Sequence, residues 1–300
     1  MKRRILYTVL FIVVLLACDR IIGLCLNKGL STYFGLDQHS EVLFIGHSHL
    51  MLAVDKTEFE NRTHTTVSKY CREGVNVADR YQMVRQFLSL PESDSLRYVI
   101  YGVDQFMFTG EGLSDNSYKL FYPFMDNQVM NDYIRSSTDF KDYFLHKVLC
   151  TTRYSDALLN SAARGWMHNW SNYKFGNLDV DNLIEQVAAD KQRHIKFEEE
   201  LIGYFEQTLE MLEDRGLTVI LVNTPIARPL NDYEPEKYHR FTDYMQQTDA
   251  TSDNVFYWDL NPEYSERYEL FFDPIHLNAD GQKVINEELV ERFTELKSTL

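Results

Sequence analysis

Three residues near opposite ends of the chain carry the side chains that a serine nucleophile needs. Ser48 follows an apolar run at residues 42–45 and Gly46, so it stands where a buried strand would end. Asp273 and His276 lie three residues apart near the other end. Serine alone is a weak nucleophile, because an imidazole must accept its proton and a carboxylate must orient that imidazole. The sequence therefore predicts Ser48 as nucleophile, His276 as general base and Asp273 as the orienting carboxylate.

The segment that holds Asp273 and His276 has a recognisable context. It reads Phe-Asp-Pro-Ile-His-Leu-Asn over residues 272–278, and an amphipathic helix pattern follows, with Asn278 as the expected N-cap. This segment, the chain order Ser, Asp, His and the Gly-x-Ser after the first strand resemble the SGNH (GDSL-like) hydrolases, most closely their membrane-anchored branch. Some members of that branch handle acyl groups on cell-envelope polymers. The resemblance covers residues 41–293, and the family's usual Gly-Asp-Ser is Gly-His-Ser here.

The resemblance implies an activity and a substrate class. It implies a serine esterase or O-acyltransferase that acts on acyl esters, acetyl esters foremost, of cell-envelope glycans, and it implies no cofactor. The alternative is a catalytically degenerate SGNH-like domain that binds glycan or scaffolds an envelope assembly.

The resemblance also assigns an oxyanion hole. Residues 73–76 read Glu-Gly-Val-Asn and are similar to the family's second block, so the amides of Ser48 and Gly74 are the expected donors, with Asn76 as a side-chain donor. The third block normally supplies an Asn, but Asp104 stands there, and an ionised carboxylate would repel an oxyanion. We therefore expect Asp104 to pair with a cation or to cap a backbone amide. Replacing Asp104 with Asn should then leave activity unchanged or raise it; His47 and Asp104 are the predicted substrate contacts.

A metal site is the third interpretation of these residues. His47 and His49 are two apart, and with Asp273 and His276 they could ligate a metal ion. Metallo-hydrolase motifs of the His-x-His-x-Asp-His type need Asp at position 51, where this chain has Met51. The sequence favours the serine chemistry and predicts no metal.

Alternating strand and helix patterns predict the fold class. Five apolar runs indicate strands, at residues 42–45, 66–71, 98–103, 217–222 and 254–258, with helical spacing at 79–90 and 182–215. Strands separated by helices pair in parallel. The prediction is a three-layer α/β/α sandwich with a parallel, flavodoxin-like five-stranded sheet. An aromatic-rich stretch at 109–181 interrupts the pattern and is predicted to be a partly helical insertion, either a surface layer or a lid for a sugar or acyl chain.

The first 26 residues predict membrane targeting. A basic cluster at residues 2–4 precedes an uncharged apolar run over residues 5–17. Such a segment directs the following chain across a membrane and leaves the positive charges in the cytoplasm. It is either an uncleaved signal anchor or a lipoprotein signal, because residues 15–18 read Leu-Leu-Ala-Cys. Residues 27–40 are the expected linker, and 41–300 the extracytoplasmic SGNH-like domain.

Composition restricts the partners. The chain has 30 basic and 45 acidic residues, a net charge of -15, and it would repel nucleic acid. Its four cysteines are too scattered for a disulfide framework or a metal knuckle. The expected partners are an acylated glycan and the membrane.

Overall fold

The computed structural model describes residues 2–110 and 114–299, and these form two compact units. The helical unit contains the described residues of Met1–Asp37 and Asp115–Asn169, and the sheet unit contains those of Gln38–Ser114 and Trp170–Leu300. The α-helices are, in chain order, α1 (Lys2–Phe34), α2 (Ser48–Ala53), α3 (Lys56–Thr63), α4 (Val77–Leu88), α5 (Gln128–Ser137), α6 (Phe140–Val148), α7 (Asp156–Trp166), α8 (Val180–Ala188), α9 (Glu199–Glu213), α10 (Arg228–Asn231), α11 (Pro235–Ala250), α12 (Asn261–Tyr264) and α13 (Ala279–Thr299). Short 3-10 helices cover Pro91–Ser95, Ser117–Phe124, Cys150–Arg153 and Tyr268–Leu270.

The sheet unit is built on five parallel strands. These are β1 (Val42–Gly46), β2 (Val67–Cys71), β3 (Tyr98–Val103), β4 (Thr218–Asn223) and β5 (Val255–Asp259), in the order β2-β1-β3-β4-β5. That order is the flavodoxin-like one. Two further strands, β6 (Phe271–Asp273) and β7 (His276–Leu277), form a small antiparallel hairpin.

Helices cover both faces of the sheet. One face packs on α3 and α13, in a core that includes Phe44, Phe59 and Phe293. On the other face α9 packs on β4 and α4 packs on β1 and α9, and Tyr101 meets Phe205. Strands covered on both sides must be apolar at nearly every position, which is why they read as continuous runs in the sequence. The predicted three-layer α/β/α sandwich is confirmed.

One predicted helix is divided in the structure. The stretch 182–215 was expected to be continuous, but α8 and α9 are separate helices. Asp190, just after α8, has a φ of 56°, a left-handed conformation that ends a helix. The amides of Ile195 and Glu198 then donate to Glu234 Oε2 at 2.6 Å and to the carbonyl of Phe108 at 3.0 Å. These hydrogen bonds stabilise a non-helical segment between α8 and α9, although the spacing of the apolar side chains favours a continuous helix.

The helical unit differs from the expected division of the chain. Helix α1 continues to Phe34, so residues 27–34 of the expected linker are helical. Gly29 packs so closely on α7 that a Cβ there would lie 2.3 Å from the carbonyl oxygen of Ala162. Most of the predicted insertion, residues 115–169, therefore packs with α1, whereas residues 170–181 belong to the sheet unit and residues 111–113 lie outside the described residues.

Helix α1 is also long and apolar enough to cross a membrane, by length and composition. It has 33 residues, and its most apolar window has a mean hydropathy of 2.6. Large apolar side chains from Ile5 to Leu15 are about half exposed or more.

Candidate active site

Ser48 lies at the carboxyl edge of the sheet, at the first position of α2. The chain can turn from β1 directly into α2 because glycines leave room for Leu50. A Cβ at Gly46 or at Gly102 would lie 2.9 Å from the Cβ of Leu50. This close approach fixes α2 over the ends of β1 and β3 and so determines where the Ser48 hydroxyl points.

The β6–β7 hairpin brings two further side chains to Ser48. His276 Nε2 lies 2.8 Å from Ser48 Oγ, and His276 Nδ1 lies 2.8 Å from Asp273 Oδ2. The other carboxylate oxygen of Asp273 accepts from the amides of Ile275 at 3.0 Å and His276 at 2.9 Å. Asn278 Oδ1 accepts from the Gly281 amide at 2.9 Å and so caps α13, which holds the hairpin's far end. The structure thus joins Ser48, His276 and Asp273 in one hydrogen-bonded chain.

The carboxylate of Asp273 is held in its ionised form. Burial alone would raise its pKa, but the hydrogen bond from His276 and those from the two backbone amides lower the pKa below its ordinary value. An ionised Asp273 accepts from Nδ1–H of His276, so Nε2 of that ring has a lone pair for the Ser48 hydroxyl.

Gly74 and Asn76 lie on the loop between β2 and α4 and line the same cavity as Ser48. Gly74 has a φ of 78°, the left-handed region that favours glycine. Asn76 is the N-cap of α4: its Oδ1 accepts from the Asp79 amide at 2.8 Å, while Asp79 Oδ2 accepts from the Asn76 amide at 2.9 Å. Its Nδ2 is thus the side-chain group that Asn76 can offer to a ligand. The Asn-x-x-Asp spacing is the sequence signal for such a capping box.

His47 and Asp104 form a pair beside Ser48. The His49 amide donates to His47 Nδ1 at 3.1 Å, so the His47 proton is on Nε2, which donates to Asp104 Oδ2 at 2.5 Å. Asp104 Oδ1 accepts from the Phe106 amide at 2.8 Å, one of the two arrangements expected from the sequence. Asp104 is 3 % exposed, so His47 is the member of the pair that a substrate would meet first.

Electrostatics keep this pair as a neutral imidazole and a carboxylate. Burial lowers the pKa of His47 more than the neighbouring Asp104 raises it. Burial would raise the pKa of Asp104, but His47, then His49 and Arg80, lower this pKa well below its usual range. The nearby His49 ring is 7 % exposed, and burial, followed by the influence of His47, holds its pKa well below the ordinary value.

A metal does not fit the cluster that forms here. His47, His49 and Asp104 each offer a ligand atom, and these atoms lie within 4.8 Å of one another. A metal-ligating histidine normally donates its second ring N–H to an acceptor. The second nitrogen of His47 faces the amide N–H of His49 instead, and so cannot carry a proton. Nε2 must then keep its hydrogen, which suits a hydrogen bond to Asp104 and opposes metal binding.

A cavity of about 250 Å³ opens beside Ser48. Its apolar wall includes Phe106, Met107, Leu230 and Ile275, and Arg80 and Arg193 line it as well. These six residues were not singled out in the sequence. Arg80 donates to the Gly102 carbonyl from Nη1 and lies 4.9 Å from the Tyr101 ring centroid, contacts that a linear pattern does not reveal.

Comparisons with known proteins leave the family open. No protein-family model and no curated protein sequence matches the chain. Among solved structures, the chain is similar to a "putative platelet activating factor" from Streptococcus pneumonia, with a TM-score of 0.40 and 11 % identity. The alignment covers 96 % of this chain and 98 % of that chain. A similarity this low establishes neither a family nor an activity.

Proposed function

We propose that this protein is an SGNH-type serine esterase or O-acyltransferase that acts on acyl esters of cell-envelope glycans. The observation that carries the proposal is the chain of hydrogen bonds from Ser48 through His276 to Asp273, with both bonds at 2.8 Å. Such a chain activates a hydroxyl that is otherwise inert at neutral pH. All three side chains are partly accessible, as a site for an external substrate requires.

The first half-reaction forms an acyl-enzyme. Ser48 Oγ attacks the ester carbonyl carbon while His276 Nε2 takes the hydroxyl proton, and Asp273 stabilises the imidazolium that results. The tetrahedral intermediate collapses, the carbon–oxygen bond to the alcohol breaks, and His276 returns the proton to the leaving oxygen. The acyl group then remains on Ser48 as an ester.

The negative charge on the tetrahedral intermediate needs donors in fixed positions. We assign the amides of Ser48 and Gly74 to this role, with Nδ2 of Asn76 as a third donor. Both carboxylate oxygens of Asp104 already accept hydrogen bonds within the protein, one from His47 and the other from the Phe106 amide. Loss of one such donor costs on the order of 100- to 1,000-fold in turnover.

The second half-reaction decides between hydrolysis and transfer. His276 deprotonates the acceptor, which is water for an esterase and a sugar hydroxyl for a transferase, and the acceptor oxygen attacks the acyl carbon. The bond from that carbon to Ser48 Oγ then breaks, and His276 returns the proton to Oγ. The cavity of about 250 Å³ exceeds the roughly 150 Å³ that accommodates benzene in an engineered protein, so an acetyl group fits with space left over. We further propose that α1 anchors the protein in a membrane with the chain after α1 on the extracytoplasmic side, where envelope glycans lie.

Labelling with a fluorophosphonate probe tests this proposal. We expect the wild-type protein to be labelled, Ser48→Ala to lose the label, and Ser161→Ala to keep it. Ser161 is a matched control because it lies on α7 and only donates to a carbonyl of its own helix. A wild-type protein that neither takes up the probe nor cleaves an acetyl ester would overturn the enzymatic proposal and favour the degenerate glycan-binding domain.

A further inference from the structure

Helix α6 presents an apolar surface that is exposed in the described part of the chain. Phe140, Phe144 and Leu145 are 78 %, 57 % and 43 % exposed. Phe140 and Phe144 are four residues apart and so lie on the same face of the helix, and Leu145 lies at the side of that face. The two phenyl rings stack with their centroids 6.0 Å apart. An aromatic patch of this kind is typical of a surface that binds another apolar phase.

The position of α6 along α1 is fixed by hydrogen bonds. Asp19 accepts from the amides of Cys150 at 2.7 Å and Thr151 at 3.0 Å. Arg20 Nη2 donates to the carbonyls of Lys147 at 3.0 Å and Val148 at 3.2 Å, which are the last residues of α6. We call this contact the α1 clamp. It places the carboxyl end of α6 at the level of residues 19 and 20 of α1.

The apolar surface of α1 continues past this clamp. Ile21, Ile22 and Leu24 are 66 %, 49 % and 69 % exposed. A helix needs about 20 apolar residues to cross a bilayer. The segment that starts after the basic cluster, at Ile5, reaches that length at Leu24 and contains two charged residues, Asp19 and Arg20. The clamp lies four to five residues before Leu24, or about 6 to 8 Å nearer the middle of the bilayer along a helix.

The clamp also lets charged side chains lie at that depth. Asp19 is 7 % exposed and accepts from Thr151 Oγ1 at 2.6 Å in addition to the two amides. Arg20 neutralises the partial negative charge at the carboxyl end of α6. Charged groups in apolar surroundings are tolerated when their hydrogen bonds are satisfied within the protein.

We infer that the Phe140–Phe144–Leu145 face of α6 binds the lipid bilayer, embedded at its interface beside α1. A helix that lies in the interface plane with Phe and Leu on its apolar side is a known mode of membrane binding. The helical unit is then held to the membrane at two places, which restricts rotation about α1. The inference rests on the proposed anchoring by α1 and is independent of the chemistry at Ser48.

Fluorescence quenching in the full-length protein tests the inference. Phe144→Trp and Phe140→Trp are compared with Met167→Trp, each reconstituted into liposomes with and without bromine-labelled acyl chains. Met167 is 65 % exposed, and its neighbour Gly165 packs against Gly29 and Tyr33, which are about 8 to 14 Å beyond Leu24 along α1. The native tryptophans are common to all variants, so the wild-type signal is subtracted.

The α6 variants should lose most of their added emission in brominated liposomes, and Met167→Trp should lose little. Equal quenching at residues 140, 144 and 167, or none at 140 and 144, would overturn the inference and leave a second protein as the occupant of this face. Flotation of the wild type with the liposomes is scored first, because a protein that does not float contradicts the anchoring by α1 and this inference with it. Neither result bears on labelling of Ser48.

Discussion

His47 donates its Nε2 proton to Asp104 at 2.5 Å, directly beside the serine that we propose as nucleophile. In the family that the sequence resembles, these two positions usually hold an Asp and an Asn. In this chain His47 precedes the serine, and the carboxylate follows the end of β3.

This pair predicts an effect on stability that is separate from the effect on activity expected from the sequence. Asp104→Asn should destabilise the protein, because both oxygens of the buried carboxylate accept hydrogen bonds, from His47 Nε2 and from the Phe106 amide. The NH2 group of Asn would face one of these two donors, which would then lack an acceptor. A buried donor without an acceptor costs about 1–3 kcal/mol. We expect Asp104→Asn to lower the free energy of unfolding by that amount, measured by chemical denaturation.

The His47→Ala background is the control for this substitution. Without the His47 donor, Asn at position 104 can turn its carbonyl to the Phe106 amide, so the cost of Asp104→Asn should become smaller. An equal cost in both backgrounds would contradict the donor assignment.

Stability should fall as the pH drops below about 6.5. The folded-state pKa values of His47 and His49 are lowered by burial, whereas the unfolded residues titrate near 6.5. Below that pH the unfolded state binds more protons than the folded state, so the free energy of unfolding decreases by about 1.4 kcal/mol per pH unit for each such histidine. Asp104, whose folded pKa is lowered, adds a further loss below about pH 4.

Denaturation in detergent at pH 7 and pH 5.5 measures this effect. His49→Gln should reduce the difference between the two pH values, because it removes one of the buried titrating rings. His239→Gln, at an exposed position, should leave the difference as it is in the wild type. A pH dependence identical in all three proteins would show that the buried histidines do not cause it.

Gly74 and Gly216 allow a matched test of the oxyanion hole. Both have a positive φ, 78° and 68°, and at both positions a Cβ would meet no atom within 4 Å. Ala at either position is strained in the same way, at a cost of roughly 1 kcal/mol. We expect both variants to lose similar stability, and Gly74→Ala alone to lose turnover, because we propose the Gly74 amide as an oxyanion donor. Equal turnover in the two variants would remove Gly74 from the proposed site.

The sequence predicted the sheet well because buried parallel strands are apolar throughout. All five predicted strands match observed ones to within one residue at each end. The β6–β7 hairpin escaped prediction because strands of three and two residues are too short to show a period. The packing of α1 against α7 depends on Gly29 and Gly165, which are more than 130 residues apart in the chain and carry no local signal.

The candidate site also contains residues that local sequence predicts and residues that only the tertiary structure brings together. The proximity of Ser48, Asp273 and His276 could be predicted because a strand end and a short spacing constrain them locally. The partnership of His47 with Asp104 depends on β1 and β3 lying side by side, which only the strand order determines. Arg193 comes from the segment between α8 and α9, where helix was predicted, so its place in the cavity could not be anticipated.

The central claim is that Ser48 carries the acyl group, and mass spectrometry of the trapped intermediate tests it most directly. The full-length protein is mixed with an activated acetyl ester, quenched in acid within the first turnovers and digested. We predict an acetyl adduct on the peptide that contains Ser48, absent in Ser48→Ala and strongly reduced in His276→Gln. An adduct on another residue, or turnover of the ester with no adduct on Ser48 at any quench time, would contradict the account.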